Sequence, residues 1–168
     1  MPKIEITDLK GLVQKTGSGV DVQSVGLEGV VVSSETSIPA AVGNTDIKLT
    51  LPAGALVTDF GFVVTSAVGG GAADGTMTVS LGTAEGGAEL VAQAVVAAAN
   101  TTIAAGRSMS VLNAVEAEEG SAAFGDFLDA SPLHSTTSRN LFARFTQGAG
   151  AAAAEGKVFV YIKYIVVA

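Results

Sequence analysis

The chain has 168 residues, enough for one ordinary domain with a buried core. Its 9 basic and 16 acidic side chains leave a net charge of −7, which excludes ordinary phosphate-backbone binding, since that needs a basic footprint. Cysteine is absent, so disulfides, thiolate zinc sites and cysteine nucleophiles are excluded as well. Charged residues are only 15%, while hydrophobic residues reach 48% with aromatics at 5% and no Trp. The apolar content is therefore mostly small, Ala and Val, with 21 Gly. Such a chain builds thin, close-packed layers. Its neutral surface suits contact with other copies or a larger assembly.

Residues 1–27 read as an extended arm. Ile4 and Ile6 alternate with Glu5 and Thr7, but Gly11, Gly17, Gly19 and Gly26 then break regular structure. The expectation is a segment that drapes over a neighbour rather than a self-contained element, followed by a domain over 28–168. The opening MPKIEITDLK shows no secretory signal, and the longest charge-free stretch, 90–106, is too polar for a membrane span. A soluble protein made in the cytoplasm is expected.

Residues 28–35 (EGVVVSSE) form a short β-branched strand, and 36–45, with Pro39, Gly43 and Asn44, a loop. Residues 46–51 alternate cleanly, Ile47, Leu49 and Leu51 on one face, Lys48 and Thr50 on the other. Pro52-Ala53-Gly54 is a turn. Residues 55–68 make a long strand with Leu56, Phe60, Phe62 and Val64 sharing one face. The glycine-rich 69–75 is expected to connect it as a hairpin to 76–81. There Met77, Val79 and Leu81 point inward, and the hydroxyls of Thr76, Thr78 and Ser80 suit a covered face.

Residues 82–87 turn the chain. Residues 88–99 are predicted to be the one helix, from the 3–4 spacing of Leu90, Val91, Ala94, Val95 and Ala98 and the high Ala content. A short strand is expected near 106–112, then an irregular acidic loop over 113–137, then a strand over 139–147. Residues 157–167 are apolar on both faces, so this last strand is expected to be central or covered on both sides. Seven or eight short strands with Gly-rich turns predict an all-β fold, a jelly-roll-like β-sandwich with one short helix and an extended N-terminal arm.

The residues offer little chemistry. His134 is the sole histidine, and a Ser-His-Asp set with Ser135 and Asp129 rests on residue type alone, so it reads as a surface-loop histidine. Glu116, Glu118, Glu119, Asp126 and Asp129 do not follow EF-hand spacing and read as a solvated acidic loop. Gly69-Gly70-Gly71 and Gly17-Ser18-Gly19 lack the rest of a phosphate loop. Arg139 and Arg144 fall on opposite faces of one strand, where a plain salt bridge is expected. No catalytic residue, metal site or cofactor is predicted.

One resemblance is carried by two runs. LPAGALVTDFGFVVTSAVGGGAADGTMTVSLGTAEGGAELVAQ (51–93) resembles tailed-bacteriophage virion proteins, in which a Pro-Gly turn leads into a long strand, a Gly-rich connection and an SLGT strand end. GKVFVYIKYIVV (156–167) resembles their closing strand. The resemblance covers about residues 46–168 and transfers no functional residue. It implies a capsid decoration (cement) or head protein, jelly-roll and often trimeric, placed on the capsid exterior with the major capsid protein as partner and no nucleic acid or membrane. Repetition over a lattice would supply avidity, and the arm would add a strand to a neighbour's edge. The expected interface residues are Ile4, Ile6, Leu9, Leu12 and Val13 of the arm and Phe159, Tyr161 and Ile165 of the last strand. The alternatives are a carbohydrate-binding jelly-roll module presenting Phe124 and Phe127, or another head or tail structural protein.

Overall fold

Period-two alternation along most of the chain lets each strand put one face into a shared core, and two sheets form around it. A computed structural model describes residues 3–7, 11–16, 28–69, 75–111, 134–148 and 155–167. The first sheet runs β11 (Ser108–Ser110), β6 (Ala55–Ser66), β14 (Gly156–Val166), β3 (Glu28–Val32). The short β12 (His134–Ser135) lies beside β6, and β4 (Thr36–Ile38) beside β14. The second sheet runs β5 (Gly43–Leu51), β13 (Arg139–Gln147), β8 (Met77–Gly82), β9 (Val91–Ala97). All of these ladders are antiparallel.

The connectivity follows one rule. β3 pairs with β14, β5 with β13, β6 with β11 and β8 with β9, four antiparallel pairs nested one inside the next. Rolling that ribbon adds two more ladders, β14 with β6 and β13 with β8. This is the strand order of a jelly roll, two Greek keys sharing a core. It places the last strand in the middle of the first sheet, as its two apolar faces predict.

The core is the inward rows of both sheets. Phe60, Phe62 and Val64 of β6 stand opposite Ile162, Val160 and Val158 of β14, all fully buried. Across the gap lie Leu49, Met77, Val79, Leu81, Leu141, Ala143 and Phe145. The Phe62 and Phe145 rings meet edge to face, centroids 5.2 Å apart at 84°, which joins the two sheets at their centre.

Several expectations need correction. Residues 88–99 contain no helix; 91–97 are β9. The reason is tertiary: β8 is buried along its whole length and needs hydrogen-bonded neighbours on both sides, and β9 supplies the second. That demand outweighs the helix propensity of Ala. The register shifts in the β8–β9 ladder mark bulges that blur the alternation and leave the 3–4 spacing visible in the sequence. The expected hairpin of 55–68 with 75–81 is not formed either, because β6 and β8 lie in different sheets. Leu56 does not share a face with Phe60: the β6–β14 register shifts so that Tyr164 pairs with Val57 and Lys163 with Asp59, and the extra residue, Thr58, reverses the parity. Ala55 and Val57 point to the core instead.

The predicted loop at 36–45 contains β4, and β5 begins already at Gly43. β3 and β4 are one edge strand interrupted at Ser33. The Ser33 N–H donates to the Val160 carbonyl at 2.9 Å, and its hydroxyl accepts from the Val160 N–H at 3.0 Å. The N-terminal segment, expected to lack local structure of its own, contains a hairpin of β1 (Lys3–Thr7) and β2 (Gly11–Thr16). Two minor strands, β7 (Val68–Gly69) and β10 (Thr102–Ile103), pair with each other.

Phe62→Ala is expected to lower unfolding free energy by about 3–5 kcal/mol, read by denaturant melts. Phe142→Ala, from the outward row of β13, should cost clearly less, because Phe142 is only half-buried. Equal losses would contradict the assigned core.

Candidate functional site

The outer face of the first sheet is the surface with the most character. Its cross-strand rows follow from the register. The first joins Glu28, Ile165, Leu56 and His134; the second Val30, Lys163 and Asp59; the third Val32, Tyr161, Gly61 and Ser110; the fourth Phe159, Val63 and Ser108. Val30 and Val32 are 56% and 57% exposed, large values for valines on a strand. Phe159, Tyr161 and Ile165 are half-buried beside them. The three predicted last-strand residues therefore share this face. Val30 and Val32 were missed as site residues, although their period-two spacing after Glu28 was the available signal.

Both tyrosines lie over glycines of the neighbouring strand. A Cβ at Gly29 would run into the Tyr164 ring, and one at Gly61 into the Tyr161 ring and the Met109 carbonyl. The missing side chain at Gly61 lets the Tyr161 ring lie low on the outer face, whereas Tyr164, with the inward parity of Ile162, packs over Gly29 against the core. Asp59 organises its polar part. It receives the Ser110 hydroxyl at 2.7 Å and lies 3.2 Å from the Lys163 ammonium, which in turn sits 5.7 Å from the Tyr161 ring centre. The Lys163 pKa is raised, first by its hydrogen bond to Asp59. Burial raises that of the Tyr161 phenol, with Asp59 adding to it. Both groups thus keep their protons near neutrality: the lysine is neutralised by its partner, and the tyrosine is uncharged. Neither is set up as a base. Farther along, Thr65 donates to Glu35 at 2.7 Å and Lys157 lies 3.5 Å from the same carboxylate.

The candidate catalytic set does not assemble among the described residues. His134 and Ser135 stand on β12, paired with Leu56 and Ala55, so His134 is half-buried on a strand rather than on a surface loop. Ser135 donates its hydroxyl to the Thr137 carbonyl at 2.9 Å, a local turn contact. Among the described residues, the buried His134 Nε2 has no hydrogen-bond partner. Asp129, the acidic residues Glu116, Glu118, Glu119 and Asp126, and the aromatics Phe124 and Phe127 lie outside the described residues. Among those described, no group of three or more His, Cys, Asp or Glu could hold a metal ion. No described helix is long and apolar enough to cross a membrane. Of the arm residues, Ile6 stands opposite Leu12 and Val13 opposite Glu5 in the backbone register, and Ile4 opposite Gln14; Leu9 lies outside the described residues.

Two hollows are modest. One of about 420 Å³ is bordered by Val96, Ile103, Arg107 and Met109. The other, about 220 Å³, lies between Glu28, Val30, Thr58 and Tyr164 at the end of the valine face. On the second sheet, Arg144 makes the plain salt bridge expected of it. Its guanidinium grips Asp46 through two hydrogen bonds of 2.6 and 2.8 Å, and the Gly86 N–H donates to the same carboxylate at 3.3 Å. The hydrogen bond from Arg144 is the main cause that holds the Asp46 carboxyl below the usual range.

No protein-family model matches the chain, and no curated protein does. Among solved structures it is similar to a chain of the "Cyanophage Pam1 capsid asymmetric unit", with a TM-score of 0.47 and 20% identity over 95% of this chain and 96% of that one.

Two predictions follow from these contacts. Gly61→Ala should destabilise by about 1–3 kcal/mol, more than Gly29→Ala, because the Met109 backbone cannot swing away as the Tyr164 ring can; paired denaturant melts compare them. The Asp46 carboxyl has a lowered folded pKa, so its contribution is complete above the unfolded value of about 3.9 and is lost as pH falls through the folded one. Asp46→Asn should therefore be less stable than the parent at pH 7, and the gap should close in acid. A gap that persists or widens there would show that the ion pair is not its source.

Proposed function

We propose that this chain is a structural virion protein that binds the outside of a tailed-phage capsid and stabilises it, as a decoration or cement protein with no enzymatic activity of its own. The observation that carries the reading is the outer face of β3, β14 and β6. It is apolar at Val30 and Val32, nearly neutral at Lys163 and Asp59, and backed by the sandwich core. A rigid face of that kind suits docking against protein, since little ordering entropy is lost on contact. The resemblance of 51–93 and 156–167 to phage virion proteins names the class of partner, the major capsid protein. Residues 1–27 act as an arm outside the 28–168 sandwich, and several copies, three by preference, form the binding unit. A net charge of −7 fits a surface turned away from packaged DNA.

The test is co-sedimentation with matching empty capsids and a search for the chain in purified virions. Saturable binding is expected. The double variant Val32→Ser with Tyr161→Ala should weaken it at least about tenfold, as loss of an aromatic anchor does. A chain that neither sediments with capsids nor occurs in virions would sink the proposal.

A further inference from the structure

The first sheet has an edge that the fold itself leaves open. Among the described residues nothing pairs with the second side of β3, whose sequence is Glu-Gly-Val-Val-Val. Proteins usually guard such an edge with lysine, proline or a bulge. β3 itself carries none of these and its ladder with β14 is in regular register; the edge strand is interrupted only beyond Val32, where one extra residue precedes β4. Elsewhere in the same chain lies a two-stranded hairpin, β1 with β2, which pairs with no other described strand. An isolated two-stranded hairpin is at best marginally stable in water and needs a third strand or a surface.

We infer that the free edge of β3 accepts the β1–β2 hairpin of a second copy of this chain. Each element lacks what the other supplies: an edge without a strand, and a hairpin without a sheet. Charge favours the match. Residues 3–16 carry Lys3, Lys10 and Lys15 against Glu5 and Asp8, so 3 − 2 = +1, while the rest of the chain carries −7 − 1 = −8. A weakly basic hairpin therefore docks on an acidic body, beside Glu28. Reach is sufficient, because the eleven residues 17–27 span up to about 36–40 Å when extended. The same length would permit docking on the hairpin's own β3, yet among the described residues of the single chain both strands pair only with each other and the edge stays open. Exchange between copies is heterologous, and around a closed ring it satisfies every edge at once. The inference rests on the homo-oligomer part of the reading above and names the surfaces that make it.

The chain has no cysteine, so introduced pairs report without background. Full-length chains bearing Ile4→Cys, Ile6→Cys or Leu12→Cys are mixed under mild oxidation with differently tagged chains bearing Val30→Cys or Val32→Cys. A disulfide-linked species of two copies carrying both tags is expected. Its absence across the panel overturns the inference. So does a disulfide found only inside one chain of the double variant Ile6→Cys with Val32→Cys, which would place the hairpin on its own sheet. In parallel, light scattering should give a multiple of 16.6 kDa for the unmodified chain. Val30→Lys with Val32→Lys, at two exposed positions, should reduce it to a single copy with an unchanged circular dichroism spectrum. A monomeric unmodified chain, or an unchanged mass in the variant, also overturns it. Capsid binding is scored separately on the unmodified chain: binding there with no copy-to-copy cross-links in the cysteine panel sinks this inference alone, and absence of binding there with the cross-links formed sinks the virion reading alone.

Discussion

The ladder between β14 and β6 is the contact on which the molecule depends. It joins β14 to a strand roughly a hundred residues earlier, and together with the β13–β8 ladder it turns a folded-back ribbon into two facing sheets. Without it, Phe60, Phe62 and Val64 would lack the neighbours that bury them, and β3 would have no sheet to extend. Loop-closure entropy must be met before such distant contacts gain anything. The compensation is concentrated where the ladder is longest: three consecutive inward pairs, Phe60 with Ile162, Phe62 with Val160 and Val64 with Val158, are buried completely, and Phe62 reaches across to Phe145.

The same ladder shapes the outer surface. Its two register shifts place an extra residue at Thr58 and at Thr65, so Leu56 turns outward with Ile165 while Phe60 turns in. Between those bulges the outward rows are held in strict register. This puts Asp59 beside Lys163 and Gly61 beneath Tyr161. A surface assembled from ladder positions inherits the stiffness of the ladder. It can present a fixed apolar strip to a partner.

Much of this was legible residue by residue. The alternation of Ile47, Leu49 and Leu51 and of Met77, Val79 and Leu81, the hydroxyl face at Thr78 and Ser80, and the two-sided apolar strand at 157–167 all hold in the structure. The hydroxyls are covered as their neutrality suggests: Gln93 donates to Thr78 at 2.7 Å, and Ser80 donates to the Gly87 carbonyl at 3.3 Å. Of the proposed interface, Phe159, Tyr161 and Ile165 share a face because their spacing is two, which is a local property of a strand. Val30 and Val32 join them only through pairing between β3 and β14, which lie more than a hundred residues apart.

What the sequence determined by itself is therefore the set of short-range patterns: all-β character, most strand positions, the turns at 52–54 and 82–87, and which side chains alternate. These rest on backbone geometry and on the two-residue period of a strand. Tertiary structure alone decided three further matters. It made a strand of 91–97, because buried β8 needed a second hydrogen-bonded neighbour. It sent β6 and β8 to opposite sheets, since a glycine-rich connection specifies a bend but not which layer the chain enters next. And it set the bulge at Thr58, where one unpaired residue reverses the facing of everything before it. Each depends on which strand becomes a neighbour across a long stretch of chain, and free energy of that kind is decided by the sum of the core rather than by any local run of residues.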